Sequence, residues 1–82
     1  MESLYTNPEK VFLEKVGKRI RELRTEANIS DEKLALACEL DRDYIGAVER
    51  GERNISVLSL YKISRALHIH LHELLIFTKP AW

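Results

Sequence analysis

Phe12, Leu13, Val16, Ile20, Leu23 and Ala27 recur at steps of three and four, so the spacing predicts a helix running to about Glu26. Its polar face carries Lys10, Glu14, Lys15, Lys18, Arg19, Arg21 and Glu22. Asn7-Pro8-Glu9 reads as its start: an N-cap side chain, a proline in the first turn, then an acid near the positive end of the helix dipole. Gly17 inside this helix costs about 1 kcal/mol relative to alanine and suggests a close approach by another element. Asn28 tolerates a left-handed conformation and ends the helix.

Ser30 then caps a second helix, with Asp31 and Glu32 in its first turn and Leu34, Ala35 and Cys38 facing inward. Glu39-Leu40 forms a turn. Asp41 caps a third helix, in which Tyr44, Ile45 and Val48 have helical spacing and Gly51 provides the stop. Beyond the polar loop Glu52-Arg53-Asn54, Ser56 caps a fourth helix with apolar positions Leu58, Leu60, Ile63 and Leu67, and Val57 and Ala66 beside them. A fifth short helix is expected from about Leu71 to Phe77, with Lys79-Pro80 ending it. The pattern thus predicts an all-α, compact five-helix bundle forming one domain over residues 1–82, with residues 1–6 frayed.

The second and third helices have the residue sizes of a helix-turn-helix. A steep crossing over a short turn needs a small residue beneath it, and Ala35 is placed for that. Leu34, Cys38, Leu40, Ile45 and Val48 lock the pair from both sides. Arg42, Asp43 and Tyr44 then occupy the outer, N-terminal part of the third helix, which in this arrangement meets base edges. Gly46 and Ala47 are small enough to let that helix sit close to a groove wall.

Composition agrees with a globular domain: 45% apolar and 32% charged residues. Thirteen basic residues balance thirteen acidic ones, and that zero net charge counts mildly against nucleic-acid binding. Residues 31–50 are more acidic still: Lys33, Arg42 and Arg50 stand against Asp31, Glu32, Glu39, Asp41, Asp43 and Glu49. Two of those acids read as caps, which reduces the objection. The single cysteine makes no internal disulfide, and MESLYTNPEK lacks the pattern of a signal peptide. LLIF at 74–77 is far short of a membrane span. A cytoplasmic protein without membrane contact is expected.

The run from Lys18 to Ile69 resembles the Cro/C1-type helix-turn-helix family of lambda-repressor-like DNA-binding domains. The resemblance is carried by IRELR at 20–24, SDEKLA at 30–35, YI at 44–45, ERGERNIS at 49–56 and LYKISRAL at 60–67. Within that family, LDRDYIGAVERGERNIS and the short length look most like controller proteins of restriction–modification systems. The resemblance implies a homodimeric transcription regulator on double-stranded DNA, with a pseudo-palindromic operator and RNA polymerase as a further contact. It implies that Arg42 reads guanine and that Tyr44 lies against the backbone or a flexible base step. Arg53 and Asn54 would lie near phosphates or the minor groove, with Ser30 a further DNA-binding candidate. Arg24 and Glu49 would form a partly buried ion pair that orients the reading helix.

Three residues depart from the family pattern. Asp31 stands where a phosphate-anchoring glutamine is usual. Asp43 replaces a threonine or serine, and either accepts from a cytosine amino group or repels phosphate. Glu39 replaces a turn glycine or asparagine. A protein-interaction module of the same fold, antitoxin-like, is therefore the alternative reading.

Other features have simpler readings. Lys18, Arg19 and Arg21 suit a solvated face paired with Glu14 and Glu22. His68, His70 and His72 straddle a helix break, where capping or exposure is favoured over a metal site. Cys38 suits the core. No catalytic set and no cofactor motif is present, so neither an enzyme nor a cofactor is expected. The apolar cluster Leu71, Leu74, Leu75, Ile76, Phe77 and Trp82 either seals the core or forms a dimer interface, with Leu71, Leu74, Leu75 and Phe77 the candidates.

Overall fold

Each α-helix among the described residues begins where a short polar side chain takes over an otherwise unpaired backbone N–H. The computed structural model describes residues 4–77. Helix α1 is Asn7–Glu26, α2 is Asp31–Cys38, α3 is Arg42–Glu49 and α4 is Val57–Leu67. Ser30, Asp41 and Ser56 cap α2, α3 and α4 as expected. The start of α1 differs from the expectation by one residue. Thr6, not Asn7, is the N-cap: its hydroxyl accepts from the Glu9 N–H at 3.3 Å, and the Glu9 carboxylate accepts from the Thr6 N–H at 2.9 Å. That reciprocal pair outcompetes a single asparagine cap and orders Thr6, which was expected to fray.

Three chain reversals use left-handed residues that are not glycine: Asn28, Glu39 and His68, with φ of 61°, 57° and 58°. Glu39 holds the turn between α2 and α3 in that conformation, which costs a side-chain-bearing residue about 1–2 kcal/mol. Gly51, at φ 78°, follows α3 without that cost.

The fifth helix is a correction. Leu71–Leu75 is a single stretch of 3-10 helix, so the chain has four α-helices and no strand among the described residues. Five residues are too few to establish α-helical cooperativity, and the Glu73 N–H bonds back to the His70 carbonyl at 3.0 Å, an i to i+3 closure. The expected stop at Lys79-Pro80 lies outside the described residues.

The core is assembled from Val16, Ile20, Leu34, Ala35, Cys38, Ile45, Val48, Leu60, Ile63, Leu67 and Leu74. Burial drives the Cys38 thiol pKa up, which suits an inert core thiol. Some expected core positions lie outside: Phe12, Ala27, Val57 and Leu58 are exposed. A helix of 20 residues is about 30 Å long, so the ends of α1 overhang the eight-residue α3 it packs against. Leu74 is fully buried within the protomer. It therefore belongs to the core and leaves the set of surface residues that a second copy could touch.

Two contacts set α3 against α1. A Cβ on Gly17 would collide with the Val48 carbonyl and stand 2.6 Å from the Glu49 oxygen, so only glycine lets the end of α3 lie this close. Arg24 and Glu49 then form a two-pronged ion pair, Nε to Oε2 at 2.6 Å and Nη2 to Oε1 at 3.0 Å. Arg24 Nη1 also donates to the Ile29 carbonyl at 2.9 Å, which ties down the α1–α2 connection. The two side chains are only 13% and 8% exposed. The Glu49 hydrogen bond raises the Arg24 pKa against the opposing effect of burial. Arg19, expected on a solvated face, instead donates to the Glu73 carbonyl at 2.9 Å and holds the 3-10 turn to α1. Phe12 and Phe77 meet edge to face, centroids 6.1 Å apart.

Gly17→Ala is expected to destabilise the fold by about 1–3 kcal/mol through overpacking, despite alanine's intrinsic helical advantage, as read from urea unfolding. Glu49→Ala should cost about 3–5 kcal/mol in the same measurement, because it leaves the Arg24 guanidinium buried without its partner.

Candidate nucleic-acid interface

The two faces of α3 differ sharply. Ile45 and Val48 are buried, 0% and 2% exposed, and fix the helix on the core. Arg42 and Asp43 project outward from the opposite side of its first turn. Asp41 starts the helix: its Oδ1 accepts from the Asp43 N–H at 2.7 Å. That contact uses one of the acids that argued against DNA, as expected of a cap. Tyr44 lies half-buried at the edge of the same turn.

The small residue Gly46 is not demanded by packing. A Cβ there would meet only Arg50 Nη1, at 3.2 Å, the far end of a flexible side chain. Arg42, Asp43, Gly46 and Arg50 line one shallow surface depression with Asp31. The outward face of α3 is therefore charged at both ends and low in the middle.

The arginines on this face have intramolecular partners. Arg42 Nη1 lies 2.7 Å from Glu32 Oε1, and its Nε lies 3.7 Å from Asp31 Oδ2. Arg50 grips Glu52 through Nε at 2.9 Å and Nη2 at 3.2 Å. That hydrogen bond raises the Arg50 pKa and lowers that of Glu52. The Arg53 guanidinium stands 5.2 Å above the centre of the Tyr44 ring, a cation–π contact. Spacing along one helix reveals none of these, because each partner comes from another helix or from the loop.

The remaining candidates fall as follows. Ser30 is exposed and its hydroxyl accepts from the Lys33 N–H at 3.1 Å, beside the start of α2. Arg53 and Asn54 are exposed in the loop between α3 and α4. Arg24 and Glu49 are brought together as the resemblance implied. His68 ends α4 in its left-handed conformation, and the His70 and His72 rings stack at 5.6 Å. Among the described residues, no group of three or more histidine, cysteine or acidic side chains lies together as a metal site. None of their helices is long and apolar enough to cross a membrane.

This geometry agrees with comparisons to known proteins. The control protein C.BamHI of Bacillus amyloliquefaciens is 46% identical over 63 residues, spanning 76% of this chain and 78% of that protein. The control protein C.SmaI of Serratia marcescens is 39% identical over 60 residues, 73% of this chain and 71% of that protein. Among solved structures, the restriction–modification controller protein C.AhdI from Aeromonas hydrophila matches with a TM-score of 0.75 at 50% identity, covering 76% of this chain and 94% of that one. The hypothetical transcription factor NHTF from Neisseria matches with a TM-score of 0.78 at 31% identity, over 95% of this chain and 87% of that one. Residues 20–74 match a family model described as helix-turn-helix. With α2 and α3 forming the motif and α3 turned outward, the chain belongs to the Cro/C1-type helix-turn-helix family of DNA-binding transcription regulators.

Proposed function

We propose that the chain acts as a homodimer of the restriction–modification controller type and occupies a pseudo-palindromic operator through two copies of α3. The observation that carries this reading is the outward first turn of α3, with Arg42 60% exposed on a helix whose inner face is fully buried. Such a helix end fits the major groove, and a dimer sets two of them about 34 Å apart along the duplex. The kinship with C.BamHI and C.AhdI supplies the regulatory context. In that context the chain works in the cytoplasm, at a promoter, within reach of RNA polymerase.

The residue roles follow from position. Arg42 reads a guanine through two N–H groups on one edge of its guanidinium. Tyr44, half-buried with Arg53 over its ring, rests against the backbone or a flexible base step. Arg53 moves from that ring to a phosphate, and Asn54 and Ser30 lie at the flanking backbone. Asp43, exposed in the first turn, discriminates by accepting from a cytosine amino group.

The dimer reading rests on exposed apolar side chains. Leu75 and Ile76 are 43% and 52% exposed after the buried Leu74, and Val57 and Leu58 on α4 are 73% and 61% exposed. Large apolar groups left in water on the 3-10 turn and on the α4 start, two elements that pack together, mark a surface for a second copy. Leu71 and Phe77 are half-buried and would contribute at its edge.

Arg42→Ala should weaken binding to the operator by about 1–3 kcal/mol per half-site and relax the preference at one base pair, measured by gel shift and by selection from a randomised duplex pool. Unaltered affinity and unaltered preference would remove Arg42 from the reading role. A protein lacking any duplex binding at low salt would instead favour the interaction-module reading. Ile76→Lys should shift the monomer–dimer equilibrium toward monomer by about tenfold or more in sedimentation equilibrium, without loss of helical signal.

A further inference from the structure

The arginine that opens α3 already has partners of the kind DNA offers. Its end nitrogen Nη1 stands 2.7 Å from the Glu32 carboxylate and its Nε 3.7 Å from that of Asp31. All three side chains are solvent-exposed, at 60% for Arg42, 37% for Asp31 and 65% for Glu32. A carboxylate and a phosphate present the same chemistry to a guanidinium: an oxyanion that accepts from its N–H groups. At the other end of the same depression, Arg50 is gripped by both oxygens of Glu52.

From these contacts we infer that Glu32 is an internal counterion for Arg42, exchanged for DNA when the duplex arrives, and that Glu52 serves Arg50 in the same way. The inference rests on Arg42 meeting DNA, and its second half on Arg50 doing so from the other end of the same depression. Asp31 is the lesser partner, because its contact is longer and its Oδ1 also accepts from the Glu32 N–H at 2.8 Å.

The exchange has a defined energetic consequence. Leaving Glu32 costs the same whether Arg42 goes to a guanine or to a phosphate. The carboxylate therefore lowers affinity for every duplex and leaves base preference where it was. It raises the protein concentration at which an operator fills. The exchange also lowers salt dependence. Each arginine that meets DNA releases condensed cations from the duplex, but the carboxylate it leaves behind takes up cation from solution. The two partly cancel.

The test uses the full chain and two duplexes of equal length: the best-bound sequence recovered from a randomised pool, and a scrambled one. Exposed ion pairs of this kind are weak, so Glu32→Gln should tighten binding to both duplexes by about two- to fivefold per protomer. The slope of log affinity against log salt should steepen by up to about one per protomer, with the selected sequence unchanged. Glu52→Gln should do the same through Arg50. In an Arg42→Ala background, Glu32→Gln should have little further effect, since the two side chains act as one unit.

Three results would overturn the inference. Weaker operator binding with an altered base preference would make Glu32 a support that orients Arg42. A gain that persists in the Arg42→Ala background would mean that Glu32 repels phosphates directly. No change in affinity or slope would mean that the ion pair has no role in binding. Failure of the underlying reading is separate: Arg42→Ala alone would then change nothing. Thermal unfolding of Glu32→Gln, expected within about 2 °C of the parent, excludes a loss of fold as the cause.

Discussion

The reading helix depends on what happens at its far end. At α3's C-terminus the Val48 and Glu49 carbonyls press against Gly17, where no side chain could fit, and Glu49 closes on Arg24 with two hydrogen bonds. An eight-residue helix has little stability of its own, so its position must come from such tertiary contacts. Without them α3 would be held mainly by Ile45, Val48 and the half-buried Tyr44, and apolar contact is non-directional. The ion pair adds direction. Its net contribution to stability is small, because burying two charges costs about what their attraction returns. What it supplies is a fixed angle between α1 and α3, and through Arg24 and Ile29 a fixed start for α2.

Pinning one end leaves the other free to act. The first turn of α3 takes its order from the Asp41 cap and from Glu39, whose left-handed backbone keeps the turn short. Neither contact covers the outward face. Arg42 and Asp43 therefore stand in solvent on a rigid base, while the small Gly46 leaves the middle of the helix low. A surface with charged ends and a flat centre suits a groove bounded by phosphates. The same logic explains why glycine is required at position 17 and optional at position 46: one faces backbone, the other the end of a long side chain.

Much of this was legible in the residues. The caps at Ser30, Asp41 and Ser56, the left-handed Asn28, the stop at Gly51 and the close approach at Gly17 each follow from a local rule about a single side chain. Where the reading missed, a second residue had changed the outcome. Thr6 displaced Asn7 as cap because Glu9 answered it. Arg19 left its expected neighbours for the Glu73 carbonyl, 54 positions away, which no periodicity encodes. For Leu74 the residues left two readings open, sealing the core or meeting a second copy, and a five-residue segment has no periodicity long enough to choose between them. Once the segment is a tight single turn, Leu74 points into the core and its neighbours Leu75 and Ile76 point out. At the candidate interface, the positions of Arg42, Asp43 and Tyr44 were legible. Their partners were not, since Glu32 and Arg53 arrive from α2 and from the loop.

The charge balance then takes on a different meaning. A neutral chain with six acids around its helix-turn-helix looks unsuited to a polyanion when charges are summed. Placed in the fold, most of those acids have a local task. Asp41 caps α3, Glu49 neutralises Arg24, and Asp31 and Glu32 face Arg42, with Glu52 from the adjoining loop on Arg50. Salt screens fields from exposed charges beyond about 8–10 Å, so a bound phosphate responds to the arginine beside it and to the ions that arginine must leave. Net charge is then a poor guide to affinity for DNA. The relevant quantity is the difference between each arginine's partner in the free protein and its partner on the duplex. By that measure Asp43 and Glu39 are the two of those six acids whose carboxylates neither cap a helix nor form a close ion pair, although Asp43 acts at longer range on Arg50 and sits in the first turn of α3. Of these, Asp43 lies within the depression itself beside Arg42 and Arg50, so on the proposed DNA-bound reading its carboxylate calls for a donor such as a cytosine amino group.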